Sequence, residues 1–207
     1  VLAFPGSGHD YPLQPGQSVV IANDAVNHKD LAGDGNKCPD LSKADWEVYL
    51  KYANGEVDYL AKNLDVIFVN NKNMKAFGLG FFGRAYVLAR LPQGVTTEAF
   101  AADRNNIKTE PNNAAATMEY LLIPSKYVLD AVDIWDAKAT VHYPTFLPKD
   151  DAEGVLASKA WEGKCVRRKV SKVVNGRPYY QDTNNSANDF LNNQELTPGV
   201  TPTAADK

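Results

Sequence analysis

The clearest alternation of apolar and polar positions runs from Trp161 to Phe190. Val166, Val170, Val173 and Val174 stand there among basic residues, a setting in which β-branched side chains suit a half-buried pleated surface. Asn175-Gly176 follows, a pair that tolerates the positive φ of a tight primed turn. Pro178-Tyr179-Tyr180-Gln181 is the return strand, so the pattern predicts a hairpin. Asp182 to Asp189 then gathers Asp, Thr, Asn and Ser, whose side chains bond their own backbone in Asx-turns, and this predicts a polar closing loop.

Short apolar runs bounded by turn residues predict further strands at 18–22, 64–69, 85–91, 119–123 and 127–134. One segment departs from this. Ser42 can cap a helix, Asp45 completes an imperfect capping box, and Trp46, Val48, Tyr49, Tyr52 and Ala53 fall near helical spacing. The spacing predicts a helical insertion near 42–53, and Thr97 to Ala102 predicts a further turn or two of helix. Polar stretches at 23–39, 103–116 and 140–151 read as long loops. The pattern therefore describes an all-β chain with one domain over 1–191 and an extended or disordered tail over 192–207.

Composition narrows the classes. With 207 residues, 44% of them hydrophobic, the chain can build a core. A formal net charge of -3 gives no nucleic-acid footprint, and no apolar run is long enough to cross a bilayer. The chain starts at Val1 rather than Met and so reads as processed or trimmed; any signal peptide or lipid anchor would lie upstream, and no opening strand is evident before Pro5. Cys38 and Cys165 are either one bridge or two buried thiols.

Candidate chemistry is sparse. Asp182-x-Asn184-x-Ser186 has the alternating oxygens of a calcium loop, but Ala187 and Asn193 occupy the positions that should be Gly and an acid. A self-bonded structural loop is the simpler reading, with no cofactor and calcium as the alternative. Asp130, Asp133 and Asp136 lie three apart, which on a strand sends neighbours to opposite faces, so they read as solvated edge charges. Gly78-x-Gly80-x-x-Gly83 matches a dinucleotide fingerprint but leads into a strand rather than a helix. His9, His28 and His142 fall in loop-like segments and read as solvated. The basic run Lys164, Arg167, Arg168, Lys169, Lys172 and Arg177 reads as a solvated sheet face, with an acidic partner as the alternative. Trp46, Tyr49, Trp135 and Tyr143 are packing residues or, if exposed, a platform for sugars or peptides.

The closing segment also carries a resemblance. Gly163, Arg167, Arg168, Lys169 and the run D-x-N-N-S-x-N-D-F from Asp182 to Phe190 resemble the end of the lamin-tail superfamily. Pro12 to Ala22, a strand entered through a Pro-Gly turn, is similar to another of its strands, and L-D-A-V-D at 129–133 to a third. The resemblance is to a branch of surface lipoproteins of gut-dwelling Gram-negative bacteria. It implies an immunoglobulin-like β-sandwich, a cell-surface position on the outer membrane, and membrane contact only through an upstream lipid anchor. It further implies a non-catalytic accessory subunit of a TonB-dependent, SusCD-like nutrient-uptake complex, with the transporter and its surface lipoprotein as partners. A free-standing glycan- or peptide-binding module is the alternative. A metal-assisted enzyme built on Asp182, Asp189 and loop histidines is the third reading.

Overall fold

A computed structural model describes residues 1–31, 37–71, 73–75, 77–78, 83–110, 113–157 and 162–207. The first half carries short strands: β1 (Leu2–Ala3), β2 (Ile21–Ala22), β3 (Trp46–Glu47), β4 (Lys62–Asn63) and β5 (Asp65–Val66), with helix α1 (His28–Leu31) among them. Then come β6 (Arg84–Ala89), α2 (Thr97–Ala102), β7 (Ile107–Thr109), β8 (Glu119–Leu121) and β9 (Val128–Asp136). The chain closes with β10 (Val155–Ala157), β11 (Lys164–Arg168), β12 (Val170–Val174), β13 (Arg177–Tyr180), α3 (Ser186–Asp189) and β14 (Phe190–Glu195). The fold is all-β and sandwich-like, built from several small sheets.

Strand β9 is the spine. It pairs antiparallel with β6, Val87 facing Ala131, and parallel with β10, Trp135 beside Leu156. Ala131 and Asp133 are two residues apart, share one face of the pleat, and are both buried. The hairpin forms where the turn chemistry places it. Asn175 and Gly176 take φ of 50° and 75°, and β12 pairs antiparallel with β13, Val174 opposite Arg177. Thr96 caps α2 by accepting the amide of Ala99 at 3.1 Å.

The predicted helix near 42–53 is instead β3 and the loop that follows it. Trp46 and Glu47 pair parallel with Ile21–Ala22 on one side and Lys62–Asn63 on the other. Asp45, far from completing a capping box, accepts the amide of Val20 at 2.8 Å. The physical reason is burial on both faces. Trp46, Glu47, Val48 and Leu50 are all shielded, so the period-two pattern disappears and the aromatic spacing imitates a helix. Trp46, Val48, Leu50 and Leu64 form the core cluster, and Leu2 and Val66 pack on it. Leu2–Ala3 is thus a strand, paired with Asp65–Val66, where none was evident before Pro5.

The tail also differs from expectation. The boundary expected after 191 falls inside β14, which pairs with β11. Further on, Asp206 returns to the sheet. Its carboxylate takes both Arg167 guanidinium nitrogens at 3.0 and 2.6 Å and the Val170 amide at 2.7 Å. The Arg167 bonds hold the Asp206 carboxyl below the usual aspartate range, against an opposing push from burial. A depressed carboxyl stabilises the fold above its unfolded value, about pH 3.9, and that contribution is lost as pH falls through the lower folded value. Asp206→Asn should cost about 1–2 kcal/mol at neutral pH, flatten the acid side of the stability curve and expose residues 196–207 to protease. Denaturant titrations of both proteins at neutral pH and near pH 3 check the pair of effects.

Candidate functional site

The polar closing segment folds onto β9 and the Asp151 loop to make a buried acidic network. Asn184 takes a φ of 52°, and Asn185 caps α3, its side chain accepting the Asn188 amide at 3.1 Å. The helix brings Ser186 against Asp151. One Asp151 oxygen accepts the Ser186 amide at 2.8 Å; the other accepts the Ser186 hydroxyl at 2.6 Å and the Asp133 amide at 2.9 Å. Asp133 accepts the Thr145 amide at 2.7 Å. Asp189 accepts the Thr183 amide and hydroxyl at 2.7 and 2.9 Å and the Asn185 amide at 3.3 Å. All four side chains are essentially removed from solvent.

Buried carboxylates of this kind survive because each is met by hydrogen-bond donors. Burial pushes the Asp189 carboxyl up, but the Thr183 and Asn185 bonds together outweigh it and hold the group below the ordinary aspartate range. Asp189 thus behaves as a fixed anion on which three separate donors converge. The Ser186 hydroxyl is committed to Asp151 and is 1% exposed, so a substrate does not reach it.

The calcium-loop oxygens do not converge. Asp182 Oδ1 lies 3.8 Å from Arg168 Nη1, the Asn184 amide reaches the same oxygen at 3.4 Å, and Ser186 turns inward to Asp151. Among the described residues no group of three or more His, Cys, Asp or Glu side chains is arranged to hold a metal ion.

The basic run is a solvated face only at Lys172 and Arg177, which are exposed; Lys164, Arg167, Arg168 and Lys169 are half-buried and partnered. Arg167 clamps Asp206; Arg168 ion-pairs with Asp130, donates to the Gln181 carbonyl at 2.8 Å and lies 4.5 Å from the Phe190 ring centroid. Lys164 pairs with Glu195, and Lys169 donates to the Asn188 carbonyl. Arginines draw this segment together because a planar guanidinium serves several acceptors at once. Asp133 is likewise no solvated edge charge, and His28 and His142 are part-buried, their Nε2 atoms at 3.0 Å from the Asp24 carbonyl and 2.8 Å from the Asp136 carbonyl.

The four aromatic candidates separate. Trp46 is core, with Phe4 and Tyr11 edge-on to it and Lys62 over its ring. Tyr49 is half-buried. Trp135 is half-buried, its ring stacked on His142 with centroids 5.0 Å apart. Tyr143 alone of the four projects into solvent, at 81% exposure. Cys38 and Cys165 are free thiols, and burial pushes the Cys165 thiol up. Trp161 and Gly80 lie outside the described residues. Strand β6 follows Gly83 directly, where a dinucleotide site needs a helix.

Sequence reasoning missed Asp151 and Glu47. Glu47 is 1% exposed and accepts the amides of Ala25 at 3.0 Å and Tyr59 at 2.8 Å, while burial pushes its carboxyl up. Beside it lies an open cleft of about 300 Å³ lined by Asp24, His28, Glu56 and Lys75 among others. The Ala131–Asp133 parity was the one available sign that Asp133 points inward.

This architecture defines an all-β, sandwich-like domain closed by a buried carboxylate clasp. The family described as "Protein of unknown function (DUF4876)" matches residues 14–197, and the chain belongs to it. No curated protein matches. Among solved structures, the crystal structure of a DUF4876 family protein from Bacteroides thetaiotaomicron VPI-5482 is similar, with a TM-score of 0.82 and 27% identity. That match covers 99% of this chain and 56% of the other, so the chain spans about half the length of that relative.

Proposed function

We infer that the protein is a non-catalytic, surface-exposed module. Its role is that of a lipid-anchored outer-membrane accessory subunit of a TonB-dependent, SusCD-like nutrient-uptake complex. The observation that carries the non-catalytic part is the clasp: Asp133, Asp151 and Asp189 are buried and hydrogen-bonded to amides and hydroxyls, which suits structural acceptors rather than proton-transfer groups. The resemblance of the closing segment to the lamin-tail branch of surface lipoproteins supports the surface assignment.

The test is a mild-detergent pull-down of the full-length tethered protein from its native outer membrane, with partners identified by mass spectrometry. Stoichiometric recovery of a transporter and its surface lipoprotein is the expected result. Recovery of the protein alone would replace this reading with a free-standing glycan- or peptide-binding module, and hydrolysis of a glycan or peptide by the pure protein would overturn both.

A further inference from the structure

We propose that the groove between the Pro15-Gly16 turn, β13 and the C-terminal tail binds an acidic saccharide, its anion held by Arg177 and its sugar ring set against Tyr180. The groove has a volume of about 260 Å³ and is assembled from three distant segments, at Gly16–Ser18, Arg177–Tyr180 and Thr201. Each wall is fixed. Gly16, at a φ of +89°, seats the Arg177 stem so closely that a Cβ there would stand 3.3 Å from Arg177 Cγ. The tail wall is tied down by Asp206 on Arg167 and on the Val170 amide.

Charge gives the anion. Lys164, Arg167 and Arg168 each have a carboxylate partner, whereas Lys172 and Arg177 form no ion pair among the described residues. Both instead flank the Tyr179 ring, at 5.0 and 5.1 Å from its centroid. A guanidinium held over a groove without a carboxylate matches a carboxylate or sulfate oxygen pair. Tyr179 thus serves as a brace for the two cations, while Tyr180, 47% exposed in the same groove, offers an aromatic face that attracts the C–H face of a sugar ring. Ser18, Thr201 and Gln17, whose side-chain oxygen is held by the Gln14 amide, add polar residues to the lining. An acidic peptide fits less well. Pro178 removes a backbone donor from the middle of β13, so an added strand would lose a rung of the ladder.

The measurement is calorimetric titration of the purified chain with a galacturonic acid oligomer, a sulfated galactan oligomer, a neutral galactose oligomer and a polyglutamate peptide. It needs no transporter, so its outcome is independent of the docking reading. At least one acidic oligomer should bind about tenfold more tightly than the neutral one, and Arg177→Gln should weaken it about tenfold with an unchanged melting midpoint. Which acidic oligomer binds tells carboxylate from sulfate. Tyr180→Ala, at an exposed position in the groove, carries the same comparison if Arg177→Gln shifts the midpoint. Failure of both acidic oligomers to bind, equal binding by the folded variants, or tighter binding of polyglutamate would overturn the proposal.

Discussion

Asp151→Ala should lose about 3–5 kcal/mol of folding stability, the largest loss expected from removing one polar side chain. The carboxylate accepts the Ser186 amide, the Ser186 hydroxyl and the Asp133 amide, all at 2.6 to 2.9 Å. Removing it strands these three donors in a site where Asp151, Ser186 and Asp133 are 3%, 1% and 3% exposed. Each stranded buried donor costs about 1–3 kcal/mol, and water entering the new space recovers part of that. Ser186→Ala removes a donor and leaves Asp151 its two amides, so about 1–2 kcal/mol is expected. Because the two residues share a bond, the double variant should lose less than the sum of the singles. Urea unfolding of the four proteins reads all these values. A loss under about 1 kcal/mol for Asp151→Ala would mean the network is not a clasp.

Gly154→Ala should cost about 2–3 kcal/mol although it adds one methyl group. A Cβ at Gly154 would stand 2.5 to 2.7 Å from three atoms of the Trp135 indole. Gly154 does not have a positive φ, so the penalty is steric rather than conformational. Trp135 is pinned in return by its stack on His142, with an interplanar angle of 4°. Its indole nitrogen is buried and has no hydrogen-bond partner among the described residues, so packing alone positions the ring. The ring must shift to admit the methyl, and the His142 stack must open with it. Trp135→Phe leaves room, so Gly154→Ala should cost much less in that background. Thermal unfolding of the singles and the double checks the coupling. Equal costs in both backgrounds would place the strain elsewhere.

Much of the frame was readable because it obeys short-range rules. Strands β6, β8 and β9 alternate or are bounded by turn residues, and Asn175-Gly176 carries its own backbone preference. What escaped shares one cause, the placement of a group by a partner far along the chain. Trp46 became a strand because two other segments pair with it, and pairing on both sides erased the alternation. Asp206 looked like part of a loose tail because Arg167 stands 39 residues away. The closing loop was readable as self-bonded, and Asp189 with Thr183 and Asn185 is that. Its anchoring through Ser186 to Asp151, 35 residues earlier, left no local trace. The aromatic candidates were chosen by residue type, which cannot distinguish core Trp46 from exposed Tyr143.

The central claim is that the acids of the closing segment are structural acceptors. The most direct measurement is a carbon-detected NMR titration of the Asp189 carboxyl in the folded protein. Three donors on a buried carboxylate predict a value below the ordinary aspartate range of about 3.9, with stability falling as pH drops through it. A value raised well above that range would mark a carboxyl kept ready to exchange a proton, and would contradict the clasp.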